Sequence, residues 1–435
     1  MSVSGERPSW TMRHQLDIAR RERDAGLFNP HQVIYAARVS GRLDVDRLAA
    51  AWRRLQERHG VLRTRFDLAD SSWLTTPGGF SELELTHLRT GTRDVAAAKE
   101  ALGVALRRPF DLSRGPLCRL HAVPVDGSTT VLGFAVQHLV CDGWSLSVLT
   151  DELWRLYADP DTALPPVRTD FPAFVRAEYA RLAADQGRAD LRRQAELLLP
   201  VGPLPEIRLP GIRVPAGGVD HRDSATVSFT LDPPTVRQLR RAGSPYGLSV
   251  IGLMHAALAG TLHQLTGLPR IGVALGVANR ADPALRHTVG WIAGSVVVLT
   301  EAGADPDDPA FLRDFTAGFA TAIDHAHLPL AAVVNELEPH LVGMPSTHPW
   351  VSFNPTPPTV GRLFPAPQPP GLVLDEIPLS SGWHYKSLSI VTAETATGIR
   401  CAISYKTCWY DAAAVEALRN GTHRLLLRWA AGKPS

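Results

Sequence analysis

The stretch Gln137-His138-Leu139-Val140-Cys141-Asp142-Gly143-Trp144-Ser145 decides how this chain is read. It follows an uncharged apolar run, residues 131–136, of the kind found in a central strand buried on both faces. Beyond Gly143, the residues Leu146, Leu149, Leu153, Trp154 and Tyr157 recur at helical spacing, with Ser145 as the candidate N-cap. A histidine, an aspartate and a glycine thus fall where a buried strand turns into a helix. Imidazole has an ordinary pKa of about 6.5, so His138 can serve as a general base near neutral pH, a role worth about 10²–10⁴-fold in rate. Asp142 can hold that imidazole or pair with an arginine that fixes the turn. Gly143 allows close approach of backbone, and its N–H can face a developing oxyanion. The same three residues also suit a purely structural turn: a packed core histidine, an aspartate helix cap and a glycine at positive φ.

Working outward, the first half alternates strands and helices. A strand is expected over residues 32–39, then a helix in which Val45, Leu48, Ala49, Trp52 and Leu55 share a face behind an Asp44 cap. A loop carries residues 58–66, and strands over 117–123 and 131–138 are joined by the turn Asp126-Gly127-Ser128. Residues 199–218 are rich in proline and glycine, as an inter-domain linker would be, which predicts an N-terminal lobe over 1–198 and a C-terminal lobe over 219–435. The second half should hold strands at 226–231, 271–277, 388–392 and 400–405, helices at 249–265 and 411–429, and a proline-rich loop between 348 and 370. The fold class is therefore α/β, with two lobes.

Composition narrows the function. With 435 residues, 45% hydrophobic and 20% charged, the chain exceeds the roughly 250–300 residues that a single core usually serves. The net charge of +2 comes with only four lysines, Lys99, Lys386, Lys406 and Lys433, and with no basic stripe, which argues against nucleic acid. Cys118, Cys141, Cys401 and Cys408 form no CxxC pair, so no metal site and no disulfide is expected. The first residues carry no apolar leader and no apolar stretch is long enough to span a bilayer, so a cytoplasmic protein, monomeric and away from membranes, is expected. Phosphate-binding loops, HExxH and a GxSxG elbow are all missing, which weighs against nucleotide, zinc and serine-hydrolase chemistry. Asp305, Asp307 and Asp308 read as a solvated loop.

Residues 138–145 resemble the HHxxxDGWS core of the condensation domains of nonribosomal peptide synthetases, in the chloramphenicol acetyltransferase-like superfamily. Further motifs occur in the family's order. Residues 58–66, RHGVLRTRF, are similar to its RHExLRTxF; 115–119, GPLCR, to GPLxR; 276–280 and 289–295, GVANR and VGWIAGS, to its AnR and GxFvNT segments. Residues 352–354, SFN, match in kind. The resemblance implies a V-shaped pair of acetyltransferase-like lobes with a tunnel at their junction. It also implies phosphopantetheine-tethered substrates delivered by carrier proteins, with no permanently bound cofactor. His138 takes the place of the family's essential histidine. Asp142 takes that of an ion-paired aspartate, for which Arg58, Arg63 and Arg280 are candidate partners, and Gly143, Trp144 and Ser145 complete the motif. Gln137 replaces the family's first histidine and, as the strand neighbour of His138, should point away from it. Ala293-Gly294-Ser295 replaces the usual Val-Asn-Thr of a cross-lobe latch. Ser295, His325, Asn335, Asn354, Trp383 and Tyr385 are candidates for the tunnel lining.

The expected function is a free-standing enzyme joining a carrier-bound acyl or aminoacyl thioester to an amine or alcohol, in natural-product biosynthesis. The competing reading is a non-catalytic relative that recruits a carrier protein or a tailoring enzyme. A coenzyme A-dependent acyltransferase is a third option, weakened by the lack of a DFGWG segment, and an epimerase would need a second acid/base residue that the sequence does not identify.

Overall fold

Strand periodicity and helix periodicity sort this chain into two sheets with helices packed on them, here in a computed structural model. It describes residues 5–24, 31–69, 72–76, 78–89, 94–199, 206–213, 223–301, 305–337, 339, 350–356, 368–379, 386–395 and 397–432. The first half runs α1 (Trp10–Asp24), β1 (Gln32–Ser40), α2 (Val45–Arg58), β2 (Thr64–Phe66), β3 (Trp73–Thr75), β4 (Leu83–Leu85), α3 (Val95–Leu106), β5 (Cys118–Pro124), β6 (Thr129–Gln137), α4 (Gly143–Ala158), α5 (Phe171–Ala183) and α6 (Asp185–Leu198). The second half runs β7 (Ser224–Leu231), α7 (Pro233–Gly243), α8 (Val250–Thr266), β8 (Arg270–Val277), β9 (Gly294–Glu301), α9 (Pro309–Asp324), α10 (Leu330–Leu337), β10 (Val351–Pro355), β11 (Val373–Glu376), β12 (Leu388–Thr395), β13 (Gly398–Lys406) and α11 (Ala412–Ala430).

One sheet has the order β11-β1-β6-β5-β4, and the other β7-β13-β12-β10-β8-β9. In the first, β6 is buried on both faces because two helical layers cover it. Leu132, Phe134 and Val136 pack with Tyr35, Trp52, Leu149 and Trp154, while Val131 and Ala135 pack with Leu102 and Leu106 of α3. In the second, Phe353, Ile390 and Ile403 face Leu253 and Leu262 of α8 and Leu426 of α11. The alternate residues Ser352, Asn354, Ser389 and Gly276 lie on the opposite face of that sheet, since strand neighbours point to opposite sides. Small and polar side chains therefore line the face that α8 and α11 leave uncovered.

The structure corrects several expectations. The loop expected over 58–66 is a 3₁₀ turn, Gly60–Arg63, that runs into β2 and pairs with β3. The cap of α4 is Asp142, whose side chain accepts from the Ser145 N–H, so Ser145 lies inside the first turn. Gly143 is the first helical residue and is not among the positive-φ glycines. β11 was not foreseen: it leaves the second half to pair antiparallel with β1 at the edge of the first-half sheet. Trp383, Tyr385, much of 199–218 and most of the proline-rich loop lie outside the described residues.

Candidate functional site

His138 opens a 3₁₀ turn immediately after β6, and the local backbone explains its placement. Its N–H donates to the His31 carbonyl at 2.8 Å, extending the β1–β6 pairing by one step. Gln137 N–H donates to Leu117 O at 2.8 Å, and the Gln137 side-chain oxygen turns forward to accept from the Leu139 N–H at 2.5 Å. Gln137 is thus the cap of the turn, buried and occupied.

The His138 imidazole is half-buried between two rings. It stacks on His31 with centroids 4.4 Å apart and planes at 20°, and lies 4.3 Å from the Trp291 ring. Its Nδ1 is buried with no partner of full hydrogen-bond geometry among the described residues. Burial lowers the imidazole pKa below its usual value; the residue's own carbonyl and the Asp142 charge oppose this, and the Lys386 charge adds to it. A carbonyl beside a ring nitrogen favours the tautomer that puts the proton there, which leaves the other lone pair available to a substrate.

Asp142 is fully buried and ties the two halves together. One carboxylate oxygen caps α4 through Ser145 N–H at 2.8 Å. The other accepts from Arg280 Nη1 at 2.9 Å and from the N–H groups of Ile292 and Ala293 at 3.0 and 2.8 Å. Burial opposes ionisation of Asp142, but the Arg280 charge and these hydrogen bonds outweigh it, and its carboxyl stays below the usual range. Arg280 is the arginine that reaches Asp142. Arg58 instead pairs with Glu152 of α4, Nε to Oε2 at 2.9 Å, and Arg63 donates to the carbonyls of Gln56 and Thr76. Glu152 also meets His59 Nε2 at 2.7 Å. Residues 58–63 therefore brace α2 against α4.

Ser145 and Trp144 serve the same crossing segment. Ser145 Oγ donates to Gly290 O at 2.9 Å and accepts from Gly290 N–H and from Arg280 Nη2, while Trp144 Nε1 donates to Arg286 O. A Cβ on Gly290 would stand 2.1 Å from the Phe171 ring, so only glycine fits there. The segment carries Leu285, Val289 and Ile292 into the first-half core and sets Trp291 against His138.

Ser295 is the second residue of β9, opposite Gly276, and Asn354 sits beside Gly276. His325 is engaged at the end of α9, its Nδ1 2.8 Å from Thr321 O, and Asn335 lies on α10, which packs against α6. Sequence reasoning missed His31 and Lys386 and did not assign Trp291 to the His138 ring. His31 had one available signal: it immediately precedes the strand that pairs with the His138 strand. Among the described residues no group of His, Cys, Asp and Glu could hold a metal ion, and no single helix is long and apolar enough to cross a membrane.

The family model for the condensation domain matches residues 27–433. The chain belongs to the condensation-domain family. Similar chains include a probable non-canonical nonribosomal peptide synthetase, CymA, of Salinispora arenicola, 28% identical over 401 residues that make up 88% of this chain and 5% of the relative. Phosphinothricin tripeptide synthetase PhsB of Streptomyces viridochromogenes is 28% identical over 403 residues, 89% of this chain and 33% of that one. This condensation domain thus spans between a twentieth and a third of the length of these relatives. The X-domain from teicoplanin biosynthesis superposes with a TM-score of 0.83 at 20% identity, covering 99% of this chain and 96% of that one. The same X-domain in complex with OxyB superposes at 0.80 and 19% identity, over 99% and 94% of the two chains. The fold is the chloramphenicol acetyltransferase-like fold of that family.

Proposed function

We propose that this chain is a condensation enzyme that transfers an acyl or aminoacyl group from a carrier-protein thioester to an amine or alcohol, forming an amide or ester. The observation that carries this reading is the His138 ring, held between His31 and Trp291 with its pKa kept low. In the reaction, the acceptor nitrogen or oxygen attacks the thioester carbonyl carbon while its proton passes to the free ring nitrogen of His138. The carbonyl oxygen becomes an oxyanion, for which the exposed first-turn N–H of Gly143, one of the donors that α4 cannot satisfy internally, is the candidate partner. Collapse breaks the C–S bond, and the imidazolium returns its proton to the departing phosphopantetheine thiolate. Asp142 and Arg280 act by positioning the turn and the crossing segment.

The test is His138→Ala with a panel of loaded carrier proteins, read by intact-protein mass spectrometry. Turnover should drop by about 10²–10⁴-fold with circular dichroism and Tm near wild type. Retained turnover in the folded variant would remove His138 from the chemistry. Because the His138 pKa is lowered, the base form persists to lower pH, and the rate should decline only below the usual imidazole range.

A second reading has support of its own: the likeness to an X-domain that forms a complex with OxyB, together with Gln137 in place of the family's first histidine. A stable protein partner in pull-downs, with no turnover of any loaded carrier, would favour that recruiting role.

A further inference from the structure

Among the described residues, no carboxylate stands beside Lys386. Its Nζ lies 3.5 Å from Asn354 Oδ1 and 5.1 Å from the centroid of the Trp350 ring, and among the described residues no Asp or Glu comes within ion-pairing distance. Lys386 is half-buried; the ordinary remedy for an ammonium taken partly out of water is a carboxylate neighbour, because an amide oxygen at that distance replaces little of the hydration it gives up. Burial accordingly lowers its pKa to about 8, which leaves most of it charged at neutral pH.

The neighbours of this ammonium are arranged toward it. An ammonium only donates, so the Asn354 oxygen faces it, and the Asn354 Nδ2 is turned away to donate to Ser352 Oγ at 3.2 Å and Ser389 Oγ at 3.1 Å. Gly276 makes room: a Cβ there would stand 2.8 Å from Asn354 Oδ1. Asn354, Ser352, Ser389 and Gly276 occupy the face of the second-half sheet opposite the α8 and α11 core, and the Lys386 ammonium meets that face at Asn354. The charge is also close enough to His138 to be among the influences on its imidazole.

We propose that Lys386, oriented by Asn354, is a substrate-recognition residue that binds a carboxylate on the donor or the acceptor of the acyl transfer. This rests on the reading that the space beside His138 holds substrate. A single positive charge with one amide neighbour matches a monoanion. A phosphate dianion is better matched by several donors or a guanidinium fork, so the phosphate of the phosphopantetheine arm is the less suited occupant.

With four lysines in the chain, reductive ¹³C-dimethylation gives a set of signals small enough to resolve by NMR, and Lys386→Arg identifies the one wanted. The probes are hexanoate, glutarate and N-acetylphenylalanine, each beside its neutral primary amide, and inorganic phosphate. At least one carboxylate should shift the Lys386 signal saturably and raise its titration midpoint by about one pH unit, while its amide does neither. The inference is overturned if no carboxylate moves the midpoint, if an amide shifts the signal as much, or if phosphate binds in preference to all carboxylates. The signal reports binding alone. A protein that turns over no acyl donor can still show it, and an active enzyme whose Lys386 ignores every carboxylate refutes this inference without touching the role of His138.

Discussion

At the scale of single residues, Asp142 shows why removal of one partner is informative. Asp142→Asn keeps the shape and the helix cap but leaves the Arg280 guanidinium, itself buried, without its countercharge. Breaking such a pair costs about 3–5 kcal/mol, so chemical unfolding should show a loss of that order, and pairing the change with Arg280→Met should recover part of it. A double variant no more stable than Asp142→Asn would mean that the stranded charge is not the cause. The folded-state pKa of Asp142 lies below its ordinary 3.8, so this stability is complete above that value and is lost as pH falls through the folded pKa. Gln137 gives the opposite expectation. Its amide oxygen already serves the Leu139 N–H, so the turn gains no missing group from Gln137→His, and turnover should stay within a few-fold of wild type. A large gain would show that the natural turn is weakened there. The sequence made His138, Asp142 and Gly143 legible because they are adjacent along the chain. It could not say which arginine meets Asp142, since Arg58 and Arg63 sit on a helix end and turn whose direction depends on Glu152 and on β3, both set by tertiary packing.

At the scale of elements, α8 carries a burial that the sequence showed only as helix. His255 is nearly inaccessible, stacks on Phe353 of β10 with centroids 4.9 Å apart, and has no hydrogen-bond partner for either ring nitrogen among the described residues. Burial lowers its pKa from 6.5 to about 3. The unfolded chain therefore takes up a proton below 6.5 that the folded chain refuses, so the His255 contribution is intact above 6.5 and is lost as pH falls toward 3. Between pH 7 and 5 this amounts to about 2 kcal/mol. Urea titrations of His255→Leu at the two pH values should show that much less acid destabilisation than wild type, and an unchanged slope would place the titration elsewhere. The strands and helices with strong periodicity, among them β6, α8 and α11, were legible to within a few residues. β11 was not, because its four residues make an edge strand whose partner lies far back in the chain.

At the scale of the whole molecule, what matters is that, besides the packing of α10 on α6, two segments of the second half return into the core and sheet of the first. The crossing segment buries Leu285, Val289 and Ile292 in the first-half core, and the approach to β11 with its strand adds Leu372 and Leu374. Burying a large aliphatic side chain contributes about 1.5–3 kcal/mol, so these five together supply roughly 7–15 kcal/mol as an upper figure. That equals the entire net stability of an ordinary domain, about 5–15 kcal/mol. The consequence tests the proposed division of the chain at 199–218. Residues 1–198 produced alone keep the His138 turn in sequence but lose Arg280, Trp291 and the edge strand. They should be insoluble or lack near-ultraviolet circular dichroism, and should recover when residues 199–435 are produced in the same cell. A soluble, cooperatively unfolding 1–198 fragment would mean that the two returns are dispensable to the first-half fold. In that event Asp142 would be held by α4 alone, and the coupling between its ion pair and the crossing segment would have to be sought in turnover and not in folding.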